Sequence, residues 1–312
     1  MIRLDDVQVF LQAVDTGSFS AAARRLDMTP ALASRAIQRL EKSLGVRLFL
    51  RSTRSMKLSE DGQRYLPHAR ATLQAVASGK LALAEAPGEI GGQIRLSVPS
   101  DVGRNVLLPW LDAFQMQHPM ISLHLRLSDR AADLLRLPLD AAIRYGVPRE
   151  STLISQPLAP DNRRALCAAP DYLERHGTPR APTDLRKHNC LRYVWGSQVH
   201  ERWSFHTPKG LQWVSVTGDR ISDDADIVRR WAVGGHGILY KSSIDVAPDL
   251  EAGRLVQIFP IAYGEAAPLN LVIADRSLLT PAMQQLRDFL RDKIDNDPVV
   301  SGRNRRPSAS GA

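Results

Sequence analysis

The feature that most constrains this chain is a pair of short helices joined by a tight turn near its N-terminus. Apolar residues at helical spacing predict a first helix that begins at Leu4 and ends at Gly17, with a short alanine-rich helix after it. Thr29 is a suitable N-cap and Pro30 suits the first helical position, so a third helix is predicted to begin there and to end at Gly45. This order predicts a helix-turn-helix.

Basic charge is concentrated in the same part of the chain. Residues 24–57 contain nine lysines and arginines and two acidic residues, an excess of seven, while the whole chain carries a net charge of +8. Such a basic face is typical of a module that binds the phosphate backbone of nucleic acid. A solvated basic surface without a partner is the alternative.

A wing and a long helix are predicted to follow the helix-turn-helix. Apolar residues alternate from Val46 to Leu58 around a polar, basic tip, which predicts a small hairpin. From Ser59 a long helix is predicted, with apolar positions at alternating gaps of three and four. These positions form a heptad seam, and they are Leu66, Ala69, Leu73, Val76 and Leu83, with Lys80 among them. We interpret the seam as a dimerising linker helix, and a stripe buried within one chain is the alternative.

Strands and helices alternate from about residue 93 to residue 296, which predicts an α/β fold. The predicted boundaries are 1–59 for the winged helix-turn-helix, 60–87 for the linker helix, 88–296 for the α/β domain and 297–312 for a disordered tail. Within the α/β domain, a first lobe is assigned to residues 88–161 and 267–296, and a second lobe to residues 162–266.

Other features of the sequence narrow the class of protein. Cys167 and Cys190 have neither metal-ligand nor disulfide spacing, and the N-terminus lacks the pattern of a signal peptide. No apolar run approaches the length of a membrane span. We therefore expect a cytoplasmic protein without a membrane partner, a metal or a cofactor. Nucleotide-binding, serine-hydrolase and metalloprotease motifs are absent from the sequence.

The N-terminal residues resemble the LysR-type family of transcriptional regulators. The resemblance is carried by Ser18-Phe19, Ala21-Ala22-Ala23, Thr29-Pro30-Ala31, Leu44-Gly45, Leu48-Phe49 and Leu58-Ser59. Weaker landmarks follow in the α/β domain, among them Asp140-Ala141-Ala142-Ile143-Arg144 and Gly234-Gly235-His236-Gly237-Ile238, and the chain departs from the pattern at Tyr240-Lys241. The resemblance implies a two-lobed effector domain like that of type II periplasmic binding proteins, and a homodimer or homotetramer.

The expected partners are double-stranded promoter DNA, a small-molecule effector and, if the chain is an activator, RNA polymerase. The third helix is expected to enter the major groove and the wing the minor groove or backbone. The candidate DNA-binding residues are Ser20, Thr29, Pro30, Ala31, Ser34, Arg35, Gln38, Arg51, Thr53 and Arg54. The alternative is that these positions only face solvent.

The effector is expected to be an organic acid bound between the lobes. Ser100 and Ser128 each follow a strand and open a predicted helix, whose free amides attract a carboxylate; ordinary helix capping is the alternative. The other candidate effector-binding residues are Arg144, Tyr145, Tyr193, Trp195 and Phe205, although buried aromatic residues more often belong to a core. An α/β enzyme and a solute-binding module with a basic N-terminal region are the alternative functions.

Overall fold

The three N-terminal helices begin and end where their caps predict. The structure is a computed structural model that describes residues 1–51, 56–84, 90–129, 137, 139–146, 153–195 and 198–300. Its first helices are α1 (Leu4–Thr16), α2 (Phe19–Arg25) and α3 (Pro30–Leu44). The Thr29 hydroxyl accepts the N–H of Leu32 at 3.3 Å, and Gly45 ends α3 with a left-handed φ of 73°. The Ser18 side chain caps α2 by accepting the N–H of Ala21 at 3.4 Å.

The three helices enclose an apolar core of their own. Phe10 of α1 and Ile37 and Leu40 of α3 are almost wholly buried in it, together with Leu48 from the following segment. Each such side chain contributes about 1.5–3 kcal/mol by leaving water. The alternation of buried and exposed positions along α3 therefore determines which of its faces remains outside.

A hairpin follows, and α3 holds its first strand. Strands β1 (Phe49–Arg51) and β2 (Met56–Leu58) pair antiparallel, and the tip at 52–55 lies outside the described residues. The Glu41 carboxylate accepts the N–H groups of Leu48 and Phe49, at 2.8 and 3.3 Å. An acidic residue in the basic window thus positions the predicted wing.

The predicted dimerisation seam lies on the long helix α4 (Glu60–Ala84), and part of it is buried within this chain. Leu66 and Ala69 have no exposed surface, because they belong to the core of their own helix-turn-helix. Leu73 is partly buried against the same core, whereas Val76 is 37% exposed. The side chains of Lys80 and Leu83 lie outside the described part. The first half of the seam is therefore a stripe within one chain.

Lobe 1 is a five-stranded sheet with the order β4-β3-β5-β15-β6. Its strands are β3 (Gly92–Val98), β4 (Ile121–Leu127), β5 (Ala141–Tyr145), β6 (Ile154–Ala159) and β15 (Leu269–Ile273). Its helices are α5 (Ser100–Val102), a π-helical turn (Gly103–Leu107), α6 (Leu108–Gln117) and α10 (Pro281–Asn296). The strand β15 returns to this sheet from the second lobe and pairs antiparallel with both β5 and β6. The strand β6 was not predicted.

Lobe 2 is a second sheet with the order β12-β8-β13-β7-β14, and β9 pairs with β8. Its strands are β7 (Arg164–Ala168), β8 (Cys190–Trp195), β9 (Gln198–Val199), β12 (Ile221–Ser222), β13 (Ile238–Ser242) and β14 (Val256–Gln257). A separate hairpin consists of β10 (Arg202–Thr207) and β11 (Gly210–Ser215). The helices are α7 (Pro170–His176), α8 (Ala225–Val233) and α9 (Ser243–Glu251).

The helix α9 belongs to both lobes. Its Ile244 and Ala247 lie in the core of lobe 1, whereas Val246 lies in a core of lobe 2. This helix was not predicted from the sequence, because an apolar face that is divided between two cores has no single apolar stripe. The strands β3 to β15 otherwise confirm the predicted two-lobed α/β architecture.

The first residues of the predicted disordered tail are ordered against lobe 1. Val299 and Val300 donate their N–H groups to the Asp297 carboxylate at 2.9 and 3.0 Å, and Val300 is 9% exposed in the lobe 1 core. Two valines in an otherwise polar segment supply this contact. Residues 301–312 lie outside the described part of the chain.

Candidate DNA-binding face and interlobe cleft

Five of the predicted DNA-binding residues lie on the face of α3 that points away from the core. Pro30, Ala31, Arg35 and Gln38 are exposed, and Ser34 is half-buried beside them. Two other candidates are also exposed: Ser20 lies on α2, and Thr29 uses its hydroxyl to cap α3. Small and polar side chains along one exposed helix face suit contact with base edges.

A neighbouring arginine has a structural partner instead. The Arg39 guanidinium donates to both oxygens of the buried Asp6 carboxylate, at 2.6 and 3.2 Å. This bidentate pair joins α3 to α1. One of the nine basic residues counted from the sequence therefore stabilises the helix packing. Arg51 has its backbone in β1, but its side chain lies outside the described part, as do Thr53 and Arg54.

Arg70 connects the DNA-binding module to lobe 1. Its guanidinium lies 3.2 Å from the Asp15 carboxylate of α1 and also donates to the Leu137 carbonyl. Burial lowers the pKa of this arginine, although Asp15 opposes the shift. Because the side chain is only 4% exposed, the contact fixes α4 between the two modules. Nothing in the local sequence distinguished Arg70 from a surface arginine.

A carboxylate of the chain itself lies between the two lobes. The N–H of Ser100, the first residue of α5, donates to the Asp129 carboxylate at 2.8 Å, and the Ser100 hydroxyl contacts its other oxygen. The N–H of Ala225, the first residue of α8, donates to that same oxygen at 2.8 Å. Ser100 belongs to lobe 1 and Ala225 to lobe 2. Two helix N-termini therefore converge on one carboxylate.

A cleft of about 260 Å³ adjoins this carboxylate. Its lining consists of Ser100, Arg104, Leu127, Ser128, Asp129, Asp223 and Asp224. Three carboxylates thus face one guanidinium, and Arg104 already lies 3.2 Å from Asp224. An anionic ligand would enter this cleft only where its charge meets amides or a further cation.

Deeper between the lobes is a buried ion-pair network. The Lys241 ammonium at the end of β13 contacts the Asp101 carboxylate of α5 and lies 3.1 Å from Asp245 of α9. Arg229 of α8 joins Asp101 to Asp249, at 2.9 and 2.6 Å. Burial raises the pKa of Asp101 to about 6 even though two cations are in contact with it. The network ties lobe 1 to lobe 2.

Only some of the predicted effector-binding residues come together. Ser128 lines the cleft, but its N–H donates to the Val98 carbonyl at 2.9 Å, so this amide is not free to bind a carboxylate as predicted. Arg144 donates to the neutral oxygens of Ser97 and Ile143, at 2.6 and 2.7 Å. Its Nε has no partner among the described residues, and burial lowers the arginine's pKa to about 10.

The aromatic candidates whose side chains are described are Tyr145, Tyr193 and Phe205, and none of the three lines the cleft. The Tyr145 hydroxyl donates to Asp245, and burial raises its pKa well above the ordinary value. The Arg164 guanidinium lies 5.4 Å from the centre of the Tyr193 ring. Phe205 is 1% exposed and packs on Tyr240, so it is a core residue and does not line the cleft. The side chain of Trp195 lies outside the described part.

The residues that sequence reasoning missed are the acidic ones and their partners. Asp101, Asp129 and Lys241 each contact a group from a remote segment of the chain, although Lys241 also contacts Asp245 four residues later. One signal was available: Lys241 ends the apolar run Ile238-Leu239-Tyr240, and a lysine in a buried strand needs a partner. Across the described ranges, no group of three or more His, Cys, Asp or Glu side chains is placed to hold a metal ion.

Two family models cover most of the chain. Residues 4–63 match the bacterial regulatory helix-turn-helix protein of the lysR family, and residues 87–295 match the LysR substrate binding domain. The chain belongs to the LysR family of bacterial transcriptional regulators. This membership confirms a DNA-binding regulator with an effector-binding domain and sets aside the enzyme alternative.

Relatives of this LysR-family regulator match it along most of its length. The HTH-type transcriptional activator TtdR of Escherichia coli is 34% identical over 285 residues, which are 91% of each chain. The probable HTH-type transcriptional regulator LtrA of Klebsiella pneumoniae is 32% identical over 309 residues, 98% of each. The solved structure of CrgA from Neisseria meningitidis has a TM-score of 0.60 at 28% identity, covering 94% of this chain and 99% of CrgA. In the described part of this regulator, no helix is long and apolar enough to cross a membrane.

Proposed function

We propose that this LysR-family regulator binds promoter DNA through the outer face of α3, assembles as a homo-oligomer, and responds to a small organic acid held between its lobes. The observation that carries the effector class is the pair of helix N-termini at Ser100 and Ala225. Their N–H groups already hold a carboxylate, each at 2.8 Å, and so have the geometry that an acid requires.

Arg144 supports the same effector class. Its guanidinium is largely buried, and neither of its two hydrogen-bond acceptors is charged. A buried cation without a carboxylate in contact is stabilised by an incoming anion. Ser97, which accepts a hydrogen bond from Arg144 at 2.6 Å, lies on β3 three residues before Ser100, and the negative charge of Asp129 opposes the fall in the pKa of Arg144.

The experiment is a binding screen on the full chain. Carboxylic acids with and without an aromatic ring are compared with their uncharged amides by thermal shift and calorimetry at constant ionic strength. We expect acids to stabilise the protein and their amides to fail. Stabilisation by cations or neutral sugars alone would refute the acid class and leave the family membership intact.

A matched pair of variants locates the site. Ser100→Ala removes a hydroxyl that contacts Asp129 and accepts the Ala225 N–H at 3.0 Å. Loss of one charge-assisted hydrogen bond costs about 1.5–3 kcal/mol, so we expect acid affinity to fall by roughly one to two decades. Ser215→Ala, at an exposed serine of β11, is the control and should leave the affinity unchanged. Equal affinities in both variants would place the acid elsewhere.

A further inference from the structure

The anion site between the lobes is filled by the chain itself. Asp129 follows β4 in lobe 1, and its carboxylate accepts the Ser100 N–H of its own lobe and the Ala225 N–H of the other lobe. The helix that begins at Ser100 continues through the π-helical turn to Gln117, and α8 runs for nine residues from Ala225. Each of the two amides therefore lies at the N-terminus of a helix, which is the positive end of the helix dipole.

Two carboxylates cannot share these donors. The Ser100 N–H has one acceptor, and the Ala225 N–H is divided between Asp129 and the Ser100 hydroxyl, at 2.8 and 3.0 Å. A second carboxylate would also meet the negative charge of Asp129 without water between them. A ligand acid that uses these amides must therefore take the place of the Asp129 side chain.

The surroundings of Asp129 allow such an exchange. The cleft of about 260 Å³ lies directly against it, so the side chain forms one wall of the space that a ligand would enter. Asp129 opposes the fall in the pKa of Arg144, but the two side chains are not in contact in the described part of the chain, and Arg144 does not line the cleft. An acid that enters this cleft therefore reaches the Ser100 and Ala225 amides as the Asp129 side chain leaves them.

Resting on the proposed acid effector, we infer that Asp129 is a tethered substitute for the effector's carboxylate, and that the effector binds by displacing it. In the absence of effector, Asp129 then holds the two lobes together. The measured affinity for an acid is lower than the intrinsic affinity by the fraction of molecules in which Asp129 has left the site. Removal of this carboxylate should raise acid affinity by about tenfold or more.

The test uses full-length Asp129→Ala with sodium acetate as the probe, because acetate matches the missing side chain in size and charge. Chloride replaces acetate to keep ionic strength constant, and binding is followed by thermal shift and calorimetry. We expect saturable stabilisation of the variant by acetate at concentrations that leave the wild-type protein unchanged. Asp129→Asn, which keeps the shape and one acceptor oxygen, should show a smaller gain and guards against a folding defect in the alanine variant.

Asp112→Ala is the matched control, because it removes an exposed carboxylate of α6 that does not line the cleft. Its response to acetate should equal that of the wild-type protein. If the acids found in the screen bind wild type and both Asp129 variants with equal affinity, the displacement is wrong and the acid effector stands. If no acid, acetate included, binds any of these proteins while DNA binding persists, the acid effector itself is wrong.

Discussion

The Lys241 ammonium is buried against the Asp101 carboxylate, and the two residues come from different lobes. Lys241 is the second-last residue of β13 in lobe 2, and Asp101 lies in the first helix of lobe 1, 140 residues earlier. Their side chains are 5% and 1% exposed. An intact buried ion pair contributes little net stability, because the cost of removing both charges from water offsets their attraction. Removal of one partner is strongly destabilising, because it leaves the other charge buried without a counterion.

We therefore predict that Lys241→Met destabilises the effector domain strongly. The substitution removes the cation that Asp245 contacts and leaves Asp101 with Arg229 alone, and an uncompensated buried charge costs about 3–5 kcal/mol. Urea denaturation of the full chain, followed by circular dichroism, measures the change. Lys209→Met, at an exposed lysine of the β10–β11 hairpin, should stay within about 0.5 kcal/mol of wild type. Equal denaturation midpoints for the two variants would contradict the prediction.

The exposed face of α3 should determine operator specificity. Arg35→Ala and Gln38→Ala are expected to weaken binding to the mapped operator by about 1–3 kcal/mol each, with a smaller loss on random DNA. Lys42→Ala, in the last turn of the same helix, serves as the charge control and should affect operator and random DNA alike. Fluorescence anisotropy at fixed salt measures both. If Arg35→Ala weakens both DNAs equally, Arg35 contacts backbone and not bases.

Two positions on α4 should have different effects on assembly and folding. Val76→Asp places a charge on an exposed apolar position and should shift the full chain toward monomer in sedimentation. Leu66→Asp places it in the core of the helix-turn-helix and should unfold that module. If the Val76→Asp protein has the wild-type sedimentation coefficient, Val76 is not part of the subunit interface.

The thiols should be inert in the folded protein. Cys167 and Cys190 have no exposed surface, and burial raises the pKa of Cys190 to about 12, so the nucleophilic thiolate is scarce. We expect no reaction with Ellman's reagent at pH 8 until urea is added, and no effect of peroxide on DNA binding. Peroxide-dependent binding that disappears in Cys190→Ser would show the opposite.

The stability of lobe 2 should depend on the ionisation of Glu265. Burial opposes that ionisation, but hydrogen bonds from His200 and from the Ser204 N–H outweigh it and hold the pKa of Glu265 below its ordinary value of 4.5. The stabilisation is therefore present above pH 4.5 and is lost as pH falls through the lower, folded-state pKa. Glu265→Gln should be less stable than wild type by about 1–3 kcal/mol at pH 7, with a gap that narrows at acid pH. If the stability difference between Glu265→Gln and wild type is constant from pH 7 to pH 3, it does not arise from the ionisation of Glu265.

The sequence by itself determined the elements whose signals are local. Thr29 and Pro30 start α3 and Gly45 ends it, because a cap, a restricted φ and a left-handed turn act within a few residues. The apolar spacing likewise determined which face of α3 remains exposed. Short apolar runs also predicted the strands β3, β4, β5 and β15 of lobe 1 and β7, β8 and β13 of lobe 2.

The tertiary structure alone decided what fills the space between the lobes. Ser100 could be placed at a helix start from sequence, but its partner Asp129 and the Ala225 amide lie 29 and 125 residues away. The same holds for Leu66, whose apolar character is equally compatible with a partner subunit and with its own helix-turn-helix. Burial and charge pairing depend on distances between remote segments, and no local pattern encodes those distances.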